Sequence, residues 1–125
     1  MQLTFIYPDD PMKLEIILAT KAYEAMWRQD SQRIQQVFEK YTGLQFQQDN
    51  IDVVVHEEQS WSGMDGKPMR LNVANQDRVK KQNALIHELA HRLLFGNGIS
   101  TPIDDETDEE EFRVYLFQGD VLREV

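Results

Sequence analysis

The residues best suited to chemistry in this chain are two histidines separated by three positions. Residues 87–91 read HELAH, the pattern H-E-x-x-H, whose polar members are His87, Glu88 and His91. In a helix, the i, i+4 spacing places both imidazoles on one face, one turn apart, where they can bind one zinc ion. Glu88 lies next to the first histidine around the helix, so its carboxylate can reach a water at the metal without being a ligand. The pattern therefore predicts a catalytic zinc site with Glu88 as general base.

Chance is a poor explanation of this pattern. The chain has three histidines in 125 residues. A random chain of the same composition would contain H-E-x-x-H with a probability of roughly 0.6%. The structural alternative is a solvated polar stripe, in which two exposed helical histidines and the glutamate between them face water. We expect the metal site.

Composition limits both the metal ligands and the partners. The chain has 125 residues and no cysteine, so disulfide bonds and thiolate ligands are excluded, and any metal ligand must be His, Asp or Glu. A formal charge of -9 argues against nucleic acid and anionic membranes as partners. No segment approaches the ~20 apolar residues of a membrane span, and the first residues do not resemble a signal peptide, so we expect a cytoplasmic protein. The length predicts a single domain over residues 1–125.

The first half of the chain is expected to be mainly helical. Leu3–Tyr7 reads as a short edge strand or an ordered N-terminal arm, and it ends at a proline. Asp10 and Pro11 are a typical helix start, and a second helix can begin at residues 29–31 and end at Gly43, although one bent helix fits the same pattern. The apolar positions at helical spacing are Leu14, Ile17, Leu18, Ala22, Ala25 and Met26.

A small sheet and the motif helix follow. Ile51–Val55 and Met69–Val73 flank a turn-rich stretch, which predicts two strands of a small antiparallel sheet joined as a hairpin. Asn75 is expected to cap a helix that runs through Phe95, in which residues 80–81, two lysines, form a solvated turn. Its predicted core positions are Val79, Ile86, Leu89, Ala90, Leu93 and Leu94.

The last predicted element is a C-terminal helix with an acidic start. An acidic run at residues 104–111 precedes the apolar stretch Phe112–Phe117. Thr107 can act as the N-cap with Glu110 as its capping-box partner, and carboxylates in the first turn suit the positive end of the helix dipole. For any one of these glutamates, that structural role is the alternative to metal binding.

Residues 84–94, ALIHELAHRLL, resemble the active-site helix of the zincin metallopeptidases. The similarity is greatest to minimal bacterial and phage-borne members with IrrE/ImmA-like cores, and it covers about eleven residues. The metzincin extension would need a glycine at position 94 and a histidine at position 97, but the chain has Leu94 and Asn97. The resemblance implies one zinc per chain, a third protein ligand from elsewhere, and a peptide or protein substrate.

The resemblance also suggests where the third ligand lies. In gluzincin-type members it is a glutamate on a following helix, about twenty residues beyond the second histidine. Glu111 lies at this distance from His91, and we rank it before Glu110 and then Glu109. The IrrE/ImmA-like pattern would place an asparagine four residues after its ligand, yet residues 113–115 are Arg, Val and Tyr.

Two further side chains are weaker candidates for the site. His56 is the rival third ligand because it is the only other histidine, although a lone histidine in a strand is more often a surface residue. Tyr115 and His56 are both candidates for stabilising the oxyanion of the transition state.

We therefore expect an α+β fold with N-terminal helices, a small antiparallel sheet, the H-E-x-x-H helix and a C-terminal helix that supplies a glutamate. The expected reaction is peptide hydrolysis, in which zinc lowers the pKa of a water toward ~7 and Glu88 transfers its proton to the leaving amine. Met69–Val73 is the expected edge strand for an extended peptide, with the loop Ser60–Lys67 over the cleft. The alternative is a non-catalytic zinc-binding regulatory or interaction module.

Overall fold

A long helix connects two strands that lie side by side in one sheet. The computed structural model describes residues 1–57, 68–74 and 77–98. Its elements are β1 (Gln2–Ile6), α1 (Leu14–Thr42), β2 (Asn50–His56), β3 (Met69–Asn72) and α2 (Arg78–Gly96). The strand order is β1-β2-β3, and both pairs are parallel. The unit β1–α1–β2 is therefore a crossover, in which the helix returns the chain to the starting end of the sheet.

The predicted mixture of helices and a small sheet is found, but the antiparallel pairing is wrong. Val53 of β2 lies opposite Met69 of β3, and His56 lies opposite Asn72, in parallel register. A hairpin needs a loop of roughly two to five residues. Residues 57–68 separate these strands, and a connection of about a dozen residues is long enough for the crossover that a parallel pair requires. The turn-rich composition of this connection does not distinguish a hairpin from a crossover.

One face of the sheet carries the hydrophobic core. Ile51, Val53 and Val55 of β2 are buried and alternate with the exposed Asp52 and the half-buried Val54. The strand registers place the buried Phe5, Met69 and Leu71 on the same face. Helix α1 packs on β1, β2 and α2, and α2 packs on β3. Both helices therefore cover the apolar face as a second layer.

Helix α1 is one continuous helix, so of the two alternatives left open by the sequence, one helix is found and no second helix begins at residues 29–31. It also begins later than predicted. The Asp10 carboxylate accepts a hydrogen bond from the Met12 amide at 2.9 Å, which makes a local turn ahead of the helix, and the N-cap is Lys13. Gly43 ends the helix as predicted, with a φ of 68° and its amide donating to the Glu39 carbonyl.

In the N-terminal half of α1, the apolar face is rotated from the predicted one. Leu14 and Leu18 are 59% and 56% exposed. The buried side consists of Ile16, Ala19, Thr20, Tyr23, Met26, Trp27, Ile34, Val37 and Phe38. The aromatic rings on this side bury more area than leucine and alanine can, which decides the orientation of the helix. The Tyr23 hydroxyl donates to the Asn72 carbonyl at 3.0 Å and so connects α1 to the end of β3.

Helix α2 covers nearly the predicted range of residues, but its N-cap is a different residue. Its N-cap is Asp77, whose carboxylate accepts a hydrogen bond from the Lys80 amide at 2.7 Å. Asn75, the predicted cap, lies outside the described residues. The predicted core positions are buried except Val79, which is 66% exposed. Lys81, expected in a solvated turn, is instead only 7% exposed because α1 packs beside it.

Three predicted segments fall outside the residues for which the structure gives positions. They are the loop Ser60–Lys67, the stretch that contains Thr107, and the rest of the predicted C-terminal helix. Among the helices that are described, neither is long and apolar enough to cross a lipid bilayer.

Replacing Leu71 by alanine should lower the free energy of unfolding by about 2–5 kcal/mol, since the Leu71 side chain is fully buried. Leu18→Ala is the matched control: it removes the same atoms from an exposed position and should change this free energy by no more than about 0.5 kcal/mol. Urea denaturation followed by circular dichroism measures both changes. Equal destabilisation by the two variants would contradict the described packing.

Candidate metal centre

Helix α2 brings His87 and His91 together on one face. Their ring centroids are 4.9 Å apart, and the ring planes meet at 78°. His91 is buried, whereas His87 is half-buried and keeps some access to solvent. Imidazole nitrogens one helical turn apart are a suitable pair of ligands for zinc and similar divalent metals.

The motif does not form the solvated stripe that was the structural alternative. Glu88 is 6% exposed and His91 is 4% exposed. Arg92, one turn beyond Glu88, is 3% exposed. Ionisable side chains are almost never buried to this extent unless they are paired, hydrogen-bonded or bound to a metal. Burial of a histidine, a glutamate and an arginine within two turns therefore marks this part of α2 as a candidate functional site.

The apolar side of α2 sets the direction of the two histidines. Leu85, Ile86, Leu89 and Leu93 are 1% exposed or less and face the sheet and α1. Rotation of the helix by one residue, about 100°, would move these side chains out of the core. The face that carries His87 and His91 is fixed by this packing.

The loop after α1 holds the C-terminal half of the motif helix. The Arg92 guanidinium donates to the Gln48 side chain at 2.8 Å. The Asn97 side-chain amide donates to the Gln45 carbonyl at 3.0 Å and to the Leu93 carbonyl at 2.8 Å, and the Gln47 amide donates to Asn97 Oδ1 at 3.3 Å. Sequence reasoning missed this role, because three glutamines in one short segment do not indicate which element they contact.

His56 occupies a different part of the fold from the histidine pair. It lies at the end of β2, and strand alternation places it on the sheet face opposite Val53 and Val55, which face the helices. Its Nε2 atom is buried. Across residues 1–57, 68–74 and 77–98, no three His, Asp or Glu side chains come together as a possible metal site. In the described part of the chain, His56 is therefore not grouped with His87 and His91, and its role as a ligand stays a prediction.

The candidates for the third ligand and one candidate for stabilising the oxyanion belong to the predicted C-terminal helix. Glu111, Glu110 and Glu109 lie outside the described residues, and so does Tyr115. Their roles remain predictions from the zincin resemblance and from the chemistry of their side chains.

Comparisons with protein-family models, with curated proteins and with solved structures found no match to this chain. The similarity to the zincin helix therefore depends on residues 84–94 alone.

We expect the full chain, freed of metal by chelation, to bind about one zinc ion with His87 and His91 as ligands. His87→Ala and His91→Ala should each weaken zinc binding by at least about a hundredfold, because each removes a direct ligand. Isothermal titration with zinc measures the stoichiometry and the affinity.

His56→Ala is the matched control, because it removes the remaining histidine and should leave zinc affinity unchanged. Glu111→Ala should weaken binding if Glu111 is the third ligand. Loss of zinc binding in His56→Ala, with unchanged binding in His91→Ala, would contradict the assignment.

Proposed function

We propose that this protein is a zinc-dependent peptidase whose site is centred on α2. The observation that carries the proposal is the largely buried H-E-x-x-H motif: two imidazoles with centroids 4.9 Å apart, of which His91 is buried and His87 half-buried, and Glu88 with 6% of its surface exposed. Metal-assisted hydrolysis requires side chains that bind the metal and a carboxylate next to them, and the motif offers two such ligands and one such carboxylate.

Each residue of the motif has a separate role in this proposal. His87 and His91 hold the metal, and Glu111 is the preferred third ligand, followed by Glu110 and Glu109. A bound zinc supplies Lewis acidity that polarises a carbonyl group and lowers the pKa of a water toward about 7. Glu88 accepts the proton of the attacking water and later donates it to the leaving amine.

The surroundings of Glu88 support its role as base. Arg92 lies one turn further along the same side of α2, where i, i+4 side chains are neighbours. Arg92 is itself held by Gln48 at 2.8 Å. The i, i+4 spacing therefore places a positively charged side chain within reach of the Glu88 carboxylate.

The edge of β3 offers a place for the substrate backbone. Within the described sheet, β3 pairs with β2 on one side only. Its other edge can therefore receive an extended peptide as an additional strand. Because α2 packs on β3, a peptide bound at this edge would run beside the helix that carries the motif. The substrate is therefore a peptide or a protein segment in extended conformation.

Glu88→Gln should lower the rate of peptide hydrolysis by at least about a hundredfold, because Glu88 transfers the proton of the attacking water. Zinc affinity should stay nearly unchanged, because Glu88 does not bind the metal. Glu15→Gln, at an exposed position of α1, is the matched control and should keep full activity. The assay uses the zinc-loaded full chain and a mixture of synthetic peptides of varied sequence, with products identified by mass spectrometry.

Two outcomes would contradict the proposal. Unchanged hydrolysis in Glu88→Gln would exclude this residue as the base. A wild-type protein that binds zinc at His87 and His91 but leaves every peptide intact would instead favour a non-catalytic zinc-binding module.

A further inference from the structure

A pocket between α1 and the first turn of α2 contains a buried lysine that the proposed hydrolysis does not use. The pocket has a volume of about 240 Å³ and is lined by Ala22, Ala25, Met26, Gln29, Arg78 and Lys81. Lys81 is 7% exposed, and its Nζ atom lies 5.6 Å from the centre of the Tyr23 ring. The neighbouring Lys80 is exposed to solvent. Two adjacent lysines of one helix are thus in opposite environments.

The burial of Lys81 shifts its amine toward the neutral form. Burial lowers the pKa of Lys81, and the carboxylate of Asp77 acts in the opposite direction with a smaller effect. A lower pKa increases the fraction of neutral amine at neutral pH, and the neutral amine is the nucleophilic form of lysine. Buried lysines of this kind are suited to forming imines with carbonyl compounds.

The pocket contains a second ionisable side chain, Arg78, whose guanidinium is suited to binding an anion. Its guanidinium is held in place by the Asp30 carboxylate at 2.9 Å and by the Gln29 side chain at 3.1 Å. A guanidinium has five N–H donors in a planar arrangement that matches a carboxylate, so further donors remain for a ligand. The same pocket is also lined by the short side chains of Ala22 and Ala25.

We propose that this pocket binds a small 2-oxo acid, whose carboxylate contacts Arg78 and whose carbonyl carbon forms an imine with Lys81. The neutral Nζ atom attacks the carbonyl carbon, and a carbon–nitrogen double bond replaces the carbon–oxygen double bond. The two amine hydrogens leave with the carbonyl oxygen as water. The step needs neither an oxidant nor a reductant, and it is independent of the metal centre.

The test traps the imine in the full-length wild-type chain. The protein is incubated with pyruvate and cyanoborohydride, which reduces an imine to a stable secondary amine, and the modified lysines are identified by peptide mapping. Lys81 should be modified at least about tenfold faster than Lys80, because only the neutral amine attacks a carbonyl group. Because both lysines are compared within one folded molecule, the result does not depend on whether a variant folds.

Variants then separate the two parts of the proposal. Lys81→Arg should remove the main adduct and Lys80→Arg should keep it, while Arg78→Gln should reduce the preference for pyruvate over acetaldehyde. Equal modification of all lysines, or faster modification of Lys80, would overturn the imine site. A ratio of pyruvate to acetaldehyde modification at Lys81 no higher than the ratio at Lys80 would overturn the role assigned to Arg78.

Discussion

The packing of α2 against β3 and α1 determines the direction of every side chain in the candidate metal centre. Leu85, Ile86 and Leu89 lie between the helix and the rest of the core and are fully buried. Each such side chain contributes roughly 1.5–3 kcal/mol by its burial. A turn of the helix that exposed them would cost more than any single polar contact of the motif can recover. The position of the histidine pair is therefore set by apolar residues that take no part in the chemistry.

Polar contacts at both ends of α2 add precision to this arrangement. At the N-terminal end, Asp77 caps the helix and Arg78 pairs with Asp30 of α1. At the C-terminal end, Asn97 joins the helix to the loop that contains Gln45 and Gln47. A site that transfers protons benefits from ligands and bases held within a fraction of an ångström, and rigid elements provide this better than loops do. The two helices and the loop between α1 and β2 act here as that rigid support.

Much of the local structure could be predicted from the sequence, because it depends on short-range patterns. The strands, the end of α1 at Gly43 and the motif helix follow from residue types and their spacing. The direction of β3 could not be predicted, since a buried face with period two is the same in parallel and antiparallel strands. The burial of Lys81 also depends on contacts distant in sequence, because Tyr23 and the rest of α1 cover it only in the folded chain.

The candidate site shows the same division between local and distant information. The pairing of His87 with His91 is a property of one helix, so the motif alone predicts it. The position of His56 relative to this pair depends on the order and direction of the strands and on the sheet face that α2 covers. Local sequence patterns do not contain this information. The third ligand remains a prediction that depends on the zincin resemblance.

X-ray absorption at the zinc edge, recorded on the zinc-loaded full chain, identifies the atoms that bind the metal. We expect scattering from two imidazole groups at about 2.0–2.1 Å, together with oxygen ligands and no sulfur. The imidazole signal should fall to one group in His91→Ala and remain at two in His56→Ala. A spectrum with oxygen ligands only, or an imidazole signal that persists after both His87 and His91 are replaced, would contradict the assignment of α2 as the metal-binding helix.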